Sequence, residues 1–209
     1  MRAARREALS LRDGLRLESY QRILADFSSW RIDDLLRAEK ERSAGILGFV
    51  RGLKLSAQII YAIREPLRDR GLQAHWGHLL DPDGRRCSRE CDIIIHAGGV
   101  VRQWNGHGGE PVMDFCFVDC SQARCVISCK SFMRSIDTQY CQDLHPYVKH
   151  VMLFAECCPS GSVARLRSQA DGAGYTGFWH LYTWNRRTGM TQSNELGWQE
   201  FIRVLEGLQ

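Results

Sequence analysis

Apolar residues in this chain fall into two rhythms. Up to about residue 70 they recur at helical spacing: Tyr20, Ile23, Leu24 and Phe27 form one stripe, and Ile32, Leu35 and Leu36 begin a second. A third stripe, Ile59, Ile60, Ile63 and Leu67, predicts a helix that starts near Leu55, with Ser56 as its N-cap, Gly71 as its stop and a kink at Pro66. Beyond Gly71 the spacing shortens to that of strands, predicted over 73–80, 90–96, 100–104, 112–118, 123–130, 151–155 and 178–184. Asp81-Pro82-Asp83-Gly84 is a turn, Ala97-Gly98-Gly99 a second one, and 105–109 a loop; 119–122 is a short connection between strands. Ser135 or Asp137 caps a helix whose apolar members are Tyr140, Leu144 and Val148, with Pro146 disturbing its end. The Ser-, Gly- and Arg-rich stretch 159–174 predicts a mobile loop, and 198–208 a closing amphipathic helix. This order of elements predicts an α/β fold with a central mixed β-sheet flanked by helices, divided into an N-terminal helical region over 1–52 and a core over 53–209.

Composition refines this picture without redirecting it. With 209 residues, 44% hydrophobic and 25% charged, the chain has the make-up of a water-soluble globular protein. No apolar run reaches the ~18 residues of a membrane span, and the basic start Met1 to Glu7 has no apolar segment behind it, so the expected compartment is the cytoplasm. The net charge of +4 is carried by residues 1–56, with 12 Lys/Arg against 8 Asp/Glu, whereas the remainder balances at 16 and 16. Such a bias permits a polyanionic partner and is equally that of a solvated helical surface. The nine cysteines are odd in number and lie mostly in apolar strands, as small hydrophobes do in a reducing compartment. Three Cys-x3-Cys pairs (Cys87/Cys91, Cys116/Cys120, Cys125/Cys129) do not have the spacing of a zinc knuckle.

Two charges stand out against the apolar strands that carry them. Asp92 lies at the start of Cys91-Asp92-Ile93-Ile94-Ile95-His96, and Lys130 lies at the end of Ala123 to Lys130. Charged groups in apolar surroundings are usually paired or bound to metal. Hydrolysis of a phosphodiester needs a divalent cation held by one or two carboxylates, and a lysine ammonium can orient the attacking water or offset charge on the phosphate. Asp92 and Lys130 meet that need if their strands are neighbours. The position two residues before the lysine, on the same face of the strand, is where a second carboxylate is expected; here it is Ser128. Asp143, thirteen residues after Lys130 on the following helix, is the expected substitute.

The combination resembles the PD-(D/E)xK nuclease superfamily: Asp92 before an Ile-Ile-Ile strand, then a strand ending in Lys130. Within it, Ser128-Cys129-Lys130 followed by Met133-Arg134-Ser135 and a helix acid is similar to the restriction endonucleases of CCGG-cutting type, whose strand acid has moved to a helix. The resemblance implies a restriction-endonuclease-like core and cleavage of double-stranded DNA with Mg²⁺, for which Mn²⁺ can substitute. It also implies a homodimer or higher homo-oligomer, and a role in restriction or another phage defence. It makes Asp92 and Asp143 metal ligands, Lys130 the catalytic lysine and Ser128 the vacated acid position, and it places Arg134 and Asp137 in a DNA-contacting segment. Charge alone adds Arg85 and Arg86, with Arg186 and Arg187, as DNA contacts. Cys91 stands where the family has proline, the helix acid is Asp one position nearer than the usual Glu, and the first helix offers only Glu65.

Other readings compete. Asp92 can pair with Arg89, and Lys130 can snorkel from a strand end. The histidines lack a ligand spacing, although His96 shares the face of Asp92 by alternation. The aromatic strand 178–184 is a candidate for stacking on bases, against ordinary core packing. A nuclease-like module without catalysis, binding nucleic acid or a protein, is the alternative function that Ser128 suggests.

Overall fold

A computed structural model of the chain describes residues 44–104 and 115–208. The first two predicted helical stripes, the 105–109 loop and the start of the predicted strand 112–118 lie outside these residues. Helix α1 spans Ala44–Arg68 and is followed by strands β1 (Gln73–Leu80), β2 (Cys91–His96), β3 (Val100–Trp104), β4 (Phe115–Asp119) and β5 (Ala123–Phe132). Helix α2 (Thr138–Leu144), strand β6 (His150–Pro159), helix α3 (Val163–Gly172), strands β7 (Gly177–Trp184) and β8 (Thr191–Ser193) and helix α4 (Glu195–Glu206) complete the order.

The strands form one mixed sheet in the order β3-β4-β1-β2-β5-β6-β7-β8. The β1/β4, β5/β6 and β6/β7 pairs are parallel, and the others antiparallel. Period-two alternation along the central strands supplies both faces with apolar groups. Ile93, Ile95, Cys125, Ile127 and Phe154 pack with Leu55, Ile59 and Ile63 of α1 and Trp198, Phe201 and Leu205 of α4. Ile94, Val126, Val151, Leu153 and Phe178 pack on the other face with Cys141 and Leu144 of α2 and Leu166 and Ala170 of α3. Each fully buried Ile, Leu or Phe contributes about 1.5–3 kcal/mol, so these two layers hold the sheet rigid under whatever its ends carry. Seven of the nine cysteines are buried here and all nine are free thiols. No described helix is long and apolar enough to cross a membrane.

Several local expectations change. Helix α1 begins at Ala44, and Ser56 is no cap: its Oγ donates to the Gly52 carbonyl one turn back at 3.1 Å. Pro66 falls in the last turn of α1. Of the two candidate caps for α2 it is Asp137 that acts, accepting from the Tyr140 N–H at 3.1 Å. The stretch 159–174 is not a loop but a 3-10 turn over Ser160–Ser162 running into α3. The closing helix starts earlier than expected because Asn194 Oδ1 caps it, accepting from the Gly197 N–H at 3.2 Å.

One glycine is fixed by close approach. Gly77 faces Cys116 in the β1/β4 register, and a Cβ there would stand 1.8 Å from the Cys116 carbonyl oxygen. Gly77→Ala is therefore expected to push β1 and β4 apart and destabilise the fold by about 1–3 kcal/mol. The fall in the urea midpoint of unfolding measures this, and an unchanged midpoint would contradict the packing described.

Candidate active site

Ile93 pairs with Ile127 and Ile94 with Val126 across the antiparallel β2/β5 ladder, which sets Asp92 opposite Ser128 at the start of β2. The Asp92 carboxylate reaches into β5: Oδ2 accepts the Cys129 backbone N–H at 2.8 Å and the Ser128 hydroxyl at 3.3 Å. Two residues past Ser128, on the same face, stands Lys130, exposed where β5 leaves the core. Asp92, Ser128 and Lys130 are thus brought together.

The electrostatics of Asp92 are those of a tethered, strained charge. Burial raises its pKa, while the Lys130 ammonium, the Cys129 N–H and the Ser128 hydroxyl pull it down, and Glu90 pushes it up again. Both hydrogen bonds fall on Oδ2, so Oδ1 is the oxygen left for a cation. Glu90 itself accepts from the Trp76 indole N–H at 2.7 Å. Tyr140 of α2 lies against this corner, its hydroxyl 3.5 Å from the Glu90 carbonyl, and burial raises its pKa well above the usual phenol range.

Asp143 comes to the same corner from α2 but faces a cation of the protein. Its Oδ2 lies 3.1 Å from Arg89 Nη2, and its Oδ1 accepts from Gln139 Nε2 at 2.7 Å. Asp137 shares this guanidinium at 4.0 Å and also caps α2, while its carbonyl accepts the Tyr175 hydroxyl at 2.6 Å. Arg89 pairs with these two helix acids, not with Asp92. Arg134 lies with its guanidinium carbon 4.9 Å from the Phe132 ring centroid, and its carbonyl accepts from Arg165 Nη2 at 3.0 Å. Arg85 and Arg86 are exposed beyond the Asp81–Gly84 turn, where β1 ends and β2 begins, so they stand at the Asp92 end of the sheet. Arg186 and Arg187 lie in the exposed turn joining β7 to β8.

Three other candidates are placed elsewhere. Glu65, the acid of α1, lies near that helix's C-terminus, at the end of the sheet where β1 begins, and pairs with Arg68. His96 is fully buried at the far end of β2 from Asp92. Its Nδ1 lies 2.8 Å from the Gly98 carbonyl oxygen and its Nε2 2.7 Å from His75 Nδ1, and burial followed by the His75 charge lowers its pKa to about 4. Phe178 and Trp179 are buried in the core, which leaves no ladder of free rings for bases on β7.

Glu90 goes unassigned in the sequence, although it sits two residues before Asp92, a spacing that signals a shared face. Arg89, expected from the sequence as a partner for Asp92, instead pairs with two acids about fifty residues further along the chain. Glu156 was missed as well: it is fully buried in β6 and accepts the Tyr182 hydroxyl at 2.7 Å.

The donor set fits a hard divalent cation of the Mg²⁺ kind, which keeps several waters and takes one or two protein carboxylates. Asp92 could offer its Oδ1 to such an ion, whereas both oxygens of Asp143 are engaged, by Arg89 and by Gln139. No group of three or more His, Cys, Asp or Glu side chains among the described residues forms an all-protein metal cage.

No protein-family model matches the chain, and no curated protein sequence matches it. Among solved structures it is similar to the cAAA-bound form of NucC from P. aeruginosa ATCC27853, with a TM-score of 0.55 at 11% identity, over 95% of this chain and 90% of that one. Two forms of NucC from E. coli MS115-1 are less similar. The cAAA-bound form has a TM-score of 0.47 at 11% identity over 95% of this chain and 89% of that one; the apo form has 0.45 at 10% over 85% and 92%. The likeness to the P. aeruginosa protein is one of fold: an α/β architecture with a mixed sheet and flanking helices.

Proposed function

We propose that this chain is a Mg²⁺-dependent endonuclease that hydrolyses double-stranded DNA in defence against phage. The observation that carries the reading is the tether between β2 and β5: Asp92 held by the Cys129 N–H and the Ser128 hydroxyl, with Lys130 next on the same face. In this reading Asp92 and Asp143 hold the metal and Ser128 keeps Asp92 oriented with Oδ1 outward. The bound cation would neutralise charge developing on the phosphate and favour ionisation of the attacking water. Lys130 positions that water and adds a fixed positive charge beside the phosphate. Arg85, Arg86 and Arg134 flank the site as phosphate contacts, and Asp137 orders the segment that leads from Lys130 into α2. The fold shared with the cAAA-bound form of NucC from P. aeruginosa makes cAAA a ligand worth offering to this chain. Cleavage of both strands by one site per chain favours a symmetric dimer or larger ring.

Arg89 is the latch of this site. Asp143→Ala is expected to weaken divalent-cation binding on the order of 10–100-fold, whereas Arg89→Ala, by releasing Asp143, strengthens it. Titration with Mn²⁺ measures both; equal weakening by the two substitutions would show that Asp143 serves the ion pair alone.

The function is tested by offering purified protein supercoiled plasmid, single-stranded DNA and RNA with Mg²⁺, each with and without cAAA, the ligand of the NucC structure. Cleavage of duplex DNA supports the reading, and its dependence on cAAA would reveal an activator. The second reading, a nuclease-like module that binds without cutting, is favoured by Ser128 at the acid position and by the engagement of Asp143 with Arg89. Duplex binding with no cleavage under any divalent cation would establish it instead.

A further inference from the structure

The nine free thiols are distributed unevenly. Seven are buried, and only Cys87 and Cys120 reach part-way to solvent. By spacing these two belong to separate Cys-x3-Cys pairs, Cys87 with Cys91 and Cys116 with Cys120. The fold pairs them with each other. Their thiols are in side-chain hydrogen-bond contact, although thirty-three residues separate them in the chain. Cys91 turns elsewhere: its Sγ lies 3.6 Å from Ser88 Oγ.

The backbone around the end of β1 brings about this meeting. The Cys87 N–H donates to the Leu79 carbonyl at 3.0 Å, the Leu79 N–H donates to Ser88 Oγ at 2.8 Å, and Arg86 bridges to Leu80. These bonds staple residues 86–88 along one side of β1. On its other side Leu80 pairs with Asp119 of β4. Cys120 follows in the 3-10 turn Cys120–Gln122, where the Asp119 carboxylate accepts the Ser121 N–H at 2.8 Å. Both thiols lie against the core layer that holds Leu79, Cys116 and Val118. Each rides on a short connection, so closing the contact to the ~2.05 Å of an S–S bond moves two turns and leaves the buried strands in place.

We propose that Cys87 and Cys120 form a redox-modification site: a dithiol that hydrogen peroxide closes reversibly to a disulfide, pinning the connection between β1 and β2 to the turn between β4 and β5. That connection carries Arg85, Arg86, Arg89 and Glu90 and leads into Asp92, so the crosslink fixes the chain that enters the candidate site. None of this depends on the site cutting DNA. One thiolate attacks a peroxide oxygen; the O–O bond breaks, a sulfenic acid forms, and the departing oxygen takes a proton to leave as water. The second thiol displaces the sulfenic hydroxyl as a second water, and the S–S bond forms. The two sulfurs lose two electrons and the peroxide gains them. A small-molecule thiol reverses the step by exchange. Only the thiolate attacks. Burial, then the Cys120 thiol and the Asp81 carboxylate, push the Cys87 thiol up to about 11, so closure is slow at neutral pH and quickens as the pH rises.

The test treats the reduced full chain with hydrogen peroxide, alkylates the remaining thiols and maps the product by non-reducing digestion and mass spectrometry. The expected result is a Cys87–Cys120 crosslink within one chain, with the free thiols falling from nine to seven and restored by dithiothreitol. It should form roughly tenfold faster at pH 8 than at pH 7. The crosslink closes a loop of about 30 residues, which should raise Tm by roughly 5–10 °C and slow amide exchange across 81–90 several-fold. Cys87→Ser and Cys120→Ser should each show neither effect after the same treatment, so the pairing is checked even where one variant folds poorly. Separate oxidation of the two thiols to sulfinic acids, a crosslink to any other cysteine, or a crosslink between chains would overturn the proposal. So would a Cys87–Cys120 disulfide that leaves Tm and exchange across 81–90 unchanged, since it would pin nothing.

Discussion

Replacing Asp92 with asparagine is expected to abolish DNA cleavage while making the folded protein more stable at neutral pH. The two effects share a cause. Burial raises the Asp92 pKa against the opposing pull of Lys130, the Cys129 N–H and the Ser128 hydroxyl, so the ionised carboxylate is held in a place that disfavours its charge. For an acid whose folded pKa lies above its unfolded value, the folded state binds the proton more tightly. The related stability is complete below the unfolded value, about 3.9 for Asp, and is lost as the pH rises through the folded one. An amide keeps an oxygen for the Cys129 N–H and carries no charge. Its advantage in Tm should therefore be absent in acid, emerge as the pH climbs through the folded pKa of Asp92, and be full at neutrality. Mg²⁺ should close the gap by stabilising the wild type alone. Thermal melts across pH, with and without Mg²⁺, check this. A variant that is less stable at neutral pH would mean that Asp92 is a structural anchor.

Lys130→Ala should lower cleavage on the order of 10²–10³-fold, the usual effect of removing a charge that stabilises the transition state, with duplex binding largely retained. Lys130 is exposed, and its removal takes nothing from either core layer. Its ammonium is, after burial, the largest influence on Asp92, and it favours the ionised form. Losing it should move the acid limb of the rate–pH profile to higher pH. Lys130→Arg keeps the charge and should restore that limb without restoring the full rate, because a planar guanidinium does not place a water as a compact ammonium does. Single-turnover rates over a pH series separate the two contributions. Equal rates for wild type and Lys130→Ala would remove Lys130 from the chemistry.

The centre of the fold could be read from the residues, and its margins could not. The run Ile93-Ile94-Ile95 and the alternation of Ala123 to Lys130 announced strands buried on both faces, and they are adjacent in the sheet. Helix α3 reads as a loop in the sequence because the residues it buries, Leu166 and Ala170, form a stripe too narrow to stand out among Ser, Arg, Gln and Asp. Strand β8 is short and wholly exposed, and no alternation marks it. The N-cap expected at Ser56 failed because α1 starts twelve residues earlier, among glycines that read as a break. Asp92, Ser128 and Lys130 were legible as a group because strand alternation and a neighbouring strand suffice to assemble them. The bond of Asp143 to Arg89 was not, since it depends on how α2 lies over the start of β2.

In the proposed function, Asp92 and Asp143 would hold a divalent cation beside Lys130, and duplex DNA would be cut there. The most direct test of this is the conversion of supercoiled plasmid to nicked and linear forms by the wild-type protein, followed through chelation with EDTA and return of Mg²⁺. Cutting that stops with EDTA, resumes with Mg²⁺ and is absent from Asp92→Asn at every stage is the predicted result. Cutting that persists in EDTA, or that Asp92→Asn retains, would contradict it.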